Sequence, residues 1–91
     1  MEIIKYLAFV LSNNIEISQT ATIGLIKLAI KDQLGPYFPL NQVTYDNLKM
    51  TIQDSLKKRL IKLKVQKTDS LIDLLVSELT NNQSLITLSE I

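Results

Sequence analysis

The chain has 91 residues, which is enough for one small domain over residues 1–91 and too short for two. It contains no cysteine and no histidine, which excludes disulfides, thiolate nucleophiles and the commonest ligands of zinc. Ten basic against nine acidic residues leave a net charge of +1, so no overall field favours a nucleic acid or an anionic membrane.

Large aliphatic side chains dominate the apolar residues, with 16 Leu and 12 Ile against only four Val. Few β-branched runs and few glycines argue against a β-sandwich or barrel. We therefore expect an all-α fold, a small bundle of about four helices (2–12, 19–34, 44–64, 69–80) with a short C-terminal tail. A winged-helix-like α+β fold is the alternative, if residues 15–17 and 85–88 are strands.

The first predicted helix covers residues 2–12, where apolar positions recur with the 3.6-residue period of an amphipathic helix. Phe9 lies on its polar side. A β-hairpin that turns at residues 12–14 competes with this interpretation, because residues 15–17 alternate between apolar and polar.

Residues 19–34 form the second predicted helix, with Ser18 or Thr20 as its N-cap and Gly35 followed by Pro36 at its end. Apolar residues cover most of its circumference, so we expect it to be the central helix of the bundle. Four residues make up its narrow solvent-facing stripe: Thr20, Gly24, Lys27 and Lys31.

A corner over residues 35–42 contains both prolines and precedes the longest predicted helix, residues 44–64. Thr44 is its expected N-cap, with Val43 and Leu48 placed for a hydrophobic staple. The apolar stripe of this helix consists of Tyr45, Leu48, Ile52, Leu56, Leu60 and Leu63, and Arg59 falls inside it.

The fourth predicted helix covers residues 69–80 and should be capped by Thr68 or Asp69. Residues 81–83 end it, because asparagine and glutamine break the apolar period there. The tail over residues 84–91 fits either a last helical turn or a strand.

Catalytic chemistry finds little support in the sequence, so we expect no enzyme activity, no catalytic or metal-binding residues and no cofactor. Asp69 and Asp73, four residues apart on one helix face, are the nearest approach to a carboxylate pair. The favoured interpretation is that Asp69 caps the helix and Asp73 pairs with a basic neighbour, because two carboxylates without histidine or a glycine-rich phosphate loop are a weak signal.

The strongest charge feature is a run of six basic residues: Lys57, Lys58, Arg59, Lys62, Lys64 and Lys67. If the third and fourth helices are antiparallel, Arg59 and Lys62 lie level with Asp73 and Asp69, so an intramolecular charge match is the favoured interpretation. The alternative is a surface that binds nucleic acid or an acidic protein.

Six apolar residues fall outside the stripes of their helices or in the corner: Phe9, Tyr37, Phe38, Met50, Ile61 and Leu74. Either the packing angles of the bundle bury this set, or it forms an interface with another chain. We expect a non-catalytic protein–protein interaction or oligomerisation module, with a homo-oligomer or another protein as partner. The alternative is a small nucleic-acid-binding regulator that uses residues 57–67.

We expect no membrane partner and a cytoplasmic location. The first residues lack the basic segment of a signal peptide, and no uncharged apolar stretch approaches the ~18–20 residues of a membrane span.

Overall fold

A computed structural model describes residues 2–89, and the side chains of residues 2–86. Its helical elements in chain order are α1 (Glu2–Ser12), α2 (Gln19–Leu34), a 3₁₀ turn (Leu40–Gln42), α3 (Tyr45–Thr51), a π-helical turn (Ile52–Leu56), α4 (Lys57–Lys62), α5 (Thr68–Asn81) and α6 (Ser84–Ser89). Helix α3, the π turn and α4 follow one another without a break, and we call residues 45–62 the long rod.

The all-α bundle predicted from the sequence is confirmed, and no strand occurs within residues 2–89. The winged-helix and hairpin alternatives are therefore wrong over these residues. After α1 the chain stays hydrogen-bonded to its last turn, since the amides of Asn14 and Ile15 both donate to the Leu11 carbonyl, at 3.0 and 3.1 Å. The tail is helical to Ser89, and residues 90–91 lie outside the described residues.

Helix caps explain where the helices begin, and one predicted cap is wrong. The Ser18 hydroxyl accepts from the Ala21 amide at 3.2 Å, and Thr44 forms a reciprocal capping box with Asn47. Helix α5 instead begins after Lys67, which has left-handed backbone angles and makes no side-chain cap. The Thr68 hydroxyl donates to the Val65 carbonyl at 2.8 Å, so it closes the preceding turn.

The core forms where α1 packs against α2, α5 and α6 and where the long rod packs against α2 and α5. Helix α1 buries nearly its whole inner face. The largest side chains with almost no exposed surface are Ile3, Ile4, Leu7, Leu11, Ile26, Ile30, Leu48, Ile52, Leu56, Leu60, Leu75 and Leu79.

The expected stripe of Thr20, Gly24, Lys27 and Lys31 faces solvent, but α2 exposes more than this stripe. It buries Ile26, Ala29 and Ile30 as predicted, but Leu25 is only half-buried and Leu28 is 45% exposed. Helix α2 packs against α1, α3 and the π turn, so its opposite side faces solvent. Apolar composition therefore overstated its burial, because no further helix packs against that outer side within the described residues.

The π turn helps four core residues of the long rod to reach the core. Leu48, Ile52, Leu56 and Leu60 recur every four residues, and each is at most 2% exposed. In a regular α-helix four residues rotate by about 400°, so each step would move the next side chain about 40° around the axis. The wider π turn takes up this drift, and all four side chains reach the core.

None of the helices within residues 2–89 combines the length and the apolar character needed to cross a lipid bilayer.

Candidate functional site: a groove at one end of the bundle

The six predicted interface residues lie on five different parts of the fold. Four of them are exposed, with Tyr37 most so at 95% and Phe9, Met50 and Ile61 near one half. Phe38 is half-buried and packs on the core, and Leu74 is half-buried on α5. Of the six, Leu74 lines one of two adjoining grooves at one end of the bundle.

Sequence reasoning missed two exposed leucines, Leu28 and Leu63. Leu63 was expected in the buried stripe of the third helix, but it is 52% exposed. The rod ends at Lys62, so Leu63 begins the turn into α5 instead of continuing the stripe. Because Leu63 lies outside the helix, the helical period of apolar residues does not predict whether it is buried.

Leu63 lines a groove between two connections that meet at one end of the bundle. One wall is the α1–α2 loop, residues 14–17, and the other is the α4–α5 turn, residues 63–66. The groove has a volume of about 590 Å³. Its apolar lining consists of Ile15, Ile17, Leu63 and Val65. We call it the end groove.

The backbone of the α4–α5 turn holds Leu63 and its neighbours in place. The Val65 amide donates to the Leu60 carbonyl at 3.1 Å, and the Lys64 amide donates to the Ile61 carbonyl at 2.9 Å. These two bonds form a Schellman motif, in which the residue after the cap has left-handed angles and is usually glycine. Here that residue is Lys64, with φ of 59°.

Two oppositely charged side chains line the end groove and form no ion pair with each other. Glu16 lies on one wall and Lys64 on the other, and both are exposed. Neither forms an ion pair or a side-chain hydrogen bond with any described residue. The groove therefore combines apolar surface with one anion and one cation that the described part of the chain leaves unpaired.

A smaller groove of about 200 Å³ continues the end groove between α5 and Asn14 of the α1–α2 loop. The two share Asn14 and Gln66, and the smaller one adds Leu74, which belongs to the predicted interface set. Lys67, the second left-handed lysine of this turn with φ of 57°, also lines it.

Much of the predicted basic patch is neutralised within the chain, although the predicted partners are wrong. Arg59 donates from Nε to Oδ2 of Asp32 at 2.6 Å, and it does not pair with Asp73. Lys57, not Lys62, reaches Asp69, with 2.9 Å between Nζ and Oδ1. The π turn changes the rotation of α4 relative to a regular helix, which turns Arg59 towards α2.

The remaining basic residues of the patch divide into one paired and three unpaired side chains. Lys58 pairs with Asp54 four residues earlier, at 3.0 Å. Lys62, Lys64 and Lys67 form no ion pair with a described residue. A cleft of about 420 Å³ lies beside Arg59, and the Ser55 hydroxyl donates to Gln33 there at 2.7 Å.

The ion pairs around this cleft and on the neighbouring face of α4 shift three pKa values. A hydrogen bond from Arg59 is the largest cause that lowers the pKa of Asp32, and the nearby charge of Lys62 adds to it. A hydrogen bond to Asp69 raises the pKa of Lys57. A hydrogen bond to Asp32 likewise raises the pKa of Arg59, and all three shifts favour the charged forms.

Of the two carboxylates Asp69 and Asp73, Asp69 forms an ion pair with Lys57. Over the described residues, no three acidic side chains converge in a way that could hold a metal ion. What the geometry brings together is an apolar groove with unpaired charges at the end of a small helical bundle.

No protein-family model matches this chain, and its comparison with curated proteins and with solved structures gave no match either.

Proposed function

We propose that this protein is a non-catalytic helical interaction module that works by contacting another protein chain, either a second copy of itself or a different protein. The observation that supports the proposal most is the end groove, where apolar side chains surround Glu16 and Lys64. Interfaces combine an apolar centre with polar groups at the rim that gain partners on binding.

Exposed apolar side chains elsewhere add weaker support. Single exposed residues are normal on any protein. Among the side chains of residues 2–86, however, six large apolar ones are at least 45% exposed. They are Phe9, Leu28, Tyr37, Met50, Ile61 and Leu63.

Two measurements test the proposal. Sedimentation of the purified protein from low to high micromolar concentration detects self-association. A photo-crosslinking amino acid placed at Leu63, with Lys27 on the outer side of α2 as the control position, detects contact with another protein in cells. A strict monomer that also gives no position-specific cross-link contradicts the proposal.

A nucleic-acid-binding regulator is the second candidate, favoured by the three lysines without an ion pair to a described residue: Lys62, Lys64 and Lys67. Against it, Lys57, Lys58 and Arg59 already bind carboxylates. Three phosphate contacts would give binding that falls steeply with salt. A gel shift at low salt that shows no complex with duplex or single-stranded DNA or RNA excludes this candidate.

The proposal includes a cytoplasmic location, which rests on the sequence and is checked by fractionating cells that express the tagged chain.

A further inference from the structure

We infer that the end groove binds the end groove of a second copy, in a dimer with two-fold symmetry in which Glu16 of each copy pairs with Lys64 of the other. This inference rests on the proposed function and specifies its partner. It assigns roles to two charged residues that pair with nothing described in their own chain.

Charge complementarity points to a second copy instead of another kind of partner. A strongly acidic segment in the groove would be repelled by Glu16, and a strongly basic segment would be repelled by Lys64. In a two-fold interface each residue i that contacts residue j is matched by j contacting i. One anion and one cation on opposite walls of the groove are therefore satisfied together by the same groove in a second copy.

The apolar lining is compatible with this arrangement. Ile15, Ile17 and Val65 are half-buried and Leu63 is exposed, so each has apolar surface left to cover. Ile15 and Val65 also pack against the core, which fixes their positions before association. A second copy would cover the same side chains on both partners and remove water from around the two ion pairs.

The backbone at Lys64 supplies a separate observation. A left-handed residue at this position of a Schellman motif is most stable as glycine, because a Cβ atom crowds the backbone there. Lys64 occupies it at φ of 59°. Strained backbone at a surface groove is an observation from which a functional role can be inferred. In the symmetric dimer, the lysine provides a cation that glycine lacks.

Charge reversal with rescue tests the pairing by sedimentation equilibrium. Glu16→Lys and Lys64→Glu should each raise the Kd of the dimer by at least about tenfold, because like charges then face each other twice. The double variant Glu16→Lys/Lys64→Glu restores opposite charges and should return the Kd to within roughly threefold of the wild type. Lys27→Glu is the matched control, since Lys27 is exposed on α2 and lines neither groove.

A second variant guards against loss of folding. Leu63→Asp changes an exposed side chain, so the melting temperature at low concentration should stay near that of the wild type while dimerisation weakens at least about tenfold. Circular dichroism of each variant establishes that it is folded before its Kd is measured.

The outcomes separate this inference from the proposed function. A wild-type dimer whose Kd is unchanged by both single reversals and by Leu63→Asp overturns the inference and leaves the proposed function standing. A monomer that cross-links to a different protein does the same. A monomer that gives no cross-link overturns both.

Discussion

Arg59 and Asp32 form a two-point contact across the bundle, with Nε donating to Oδ2 at 2.6 Å and Nη2 donating to Oδ1 at 3.1 Å. The pair joins the long rod to the end of α2. Two parallel hydrogen bonds fix the relative position of a guanidinium and a carboxylate better than a single ion pair does. It is the only two-point ion pair among the described residues.

The pair predicts a specific acid sensitivity. Arg59 lowers the pKa of Asp32 in the folded chain below the ordinary value of 3.8. The stability that this ion pair contributes is therefore fully present above pH 3.8. It is lost as the pH falls through the lower folded pKa. Asp32→Asn should therefore lower the free energy of unfolding at neutral pH, and the difference from the wild type should shrink in strong acid. Urea unfolding across this pH range measures both effects.

Asp73→Asn is the control for this experiment, since Asp73 forms no ion pair with a described residue and only attracts Lys57 through space. The interpretation fails if the difference between Asp32→Asn and the wild type is the same at every pH.

Adjacent residues of α4 test the effect of the π turn. Leu60 is fully buried and Ile61 is 55% exposed, although both are large aliphatics. Leu60→Ala should lower the free energy of unfolding by about 2–5 kcal/mol, because it leaves a cavity in the core. Ile61→Ala should change it by less than about 0.5 kcal/mol. Equal losses in chemical denaturation would contradict the register that the π turn sets.

Truncation in α2 tests the buried side of that helix. Ile26 is 2% exposed, so Ile26→Ala should cost about 2–5 kcal/mol, which is a large share of the stability of a small domain. Lys27→Ala, at the next and exposed position, should cost little. If the protein dimerises, the melting temperature of Ile26→Ala should depend more strongly on concentration. A melt within a degree or two of the wild type would show that Ile26 is not part of the core.

The two glycines of the chain should respond to alanine with opposite signs. Gly24 is exposed inside α2 with open space where an added Cβ would lie, so Gly24→Ala should stabilise the protein by about 0.5–1 kcal/mol through helix propensity. Gly35 has a φ of 97°, which side chains rarely adopt, so Gly35→Ala should destabilise it by about 1 kcal/mol or more. Thermal melts at one concentration compare them, and a stabilising Gly35→Ala would contradict the positive φ at the end of α2.

Lys64 and Lys67 both have positive φ angles, which favour glycine. Replacing Lys67 by glycine tests the effect of this backbone conformation on stability. Lys67 precedes α5 with φ of 57° and makes no side-chain cap there. Lys67→Gly should raise the free energy of unfolding by up to about 1 kcal/mol, because glycine removes the crowding of Cβ. Lys49→Gly, inside α3, should have the opposite effect. Denaturant unfolding that finds Lys67→Gly destabilising would contradict the left-handed angles.

Local chemistry determined most of the secondary structure in advance. The ends of α1 and α2 agree with the predicted bounds, because amphipathic period, the Ser18 cap and the Gly35–Pro36 pair all act over a few neighbouring residues. Thr44 begins α3 for the same reason. The π turn was not predicted, because a wheel drawn at a constant angle of about 100° per residue already places Leu48, Ile52, Leu56 and Leu60 within one broad stripe.

Tertiary structure decided which apolar residues face solvent and which charges meet. Leu28 and Leu63 lie in apolar segments of the sequence, but both side chains are about half exposed. Leu28 lies on the outer side of α2, and Leu63 lies in the turn after α4. Asp32 and Arg59 are 27 residues apart in sequence, so no local period relates them. The end groove likewise joins residues 14–17 with residues 63–66. A sequence determines helices through contacts between near neighbours, whereas exposure, ion pairing and grooves depend on how whole helices pack, and that depends on the rotation of each helix about its own axis.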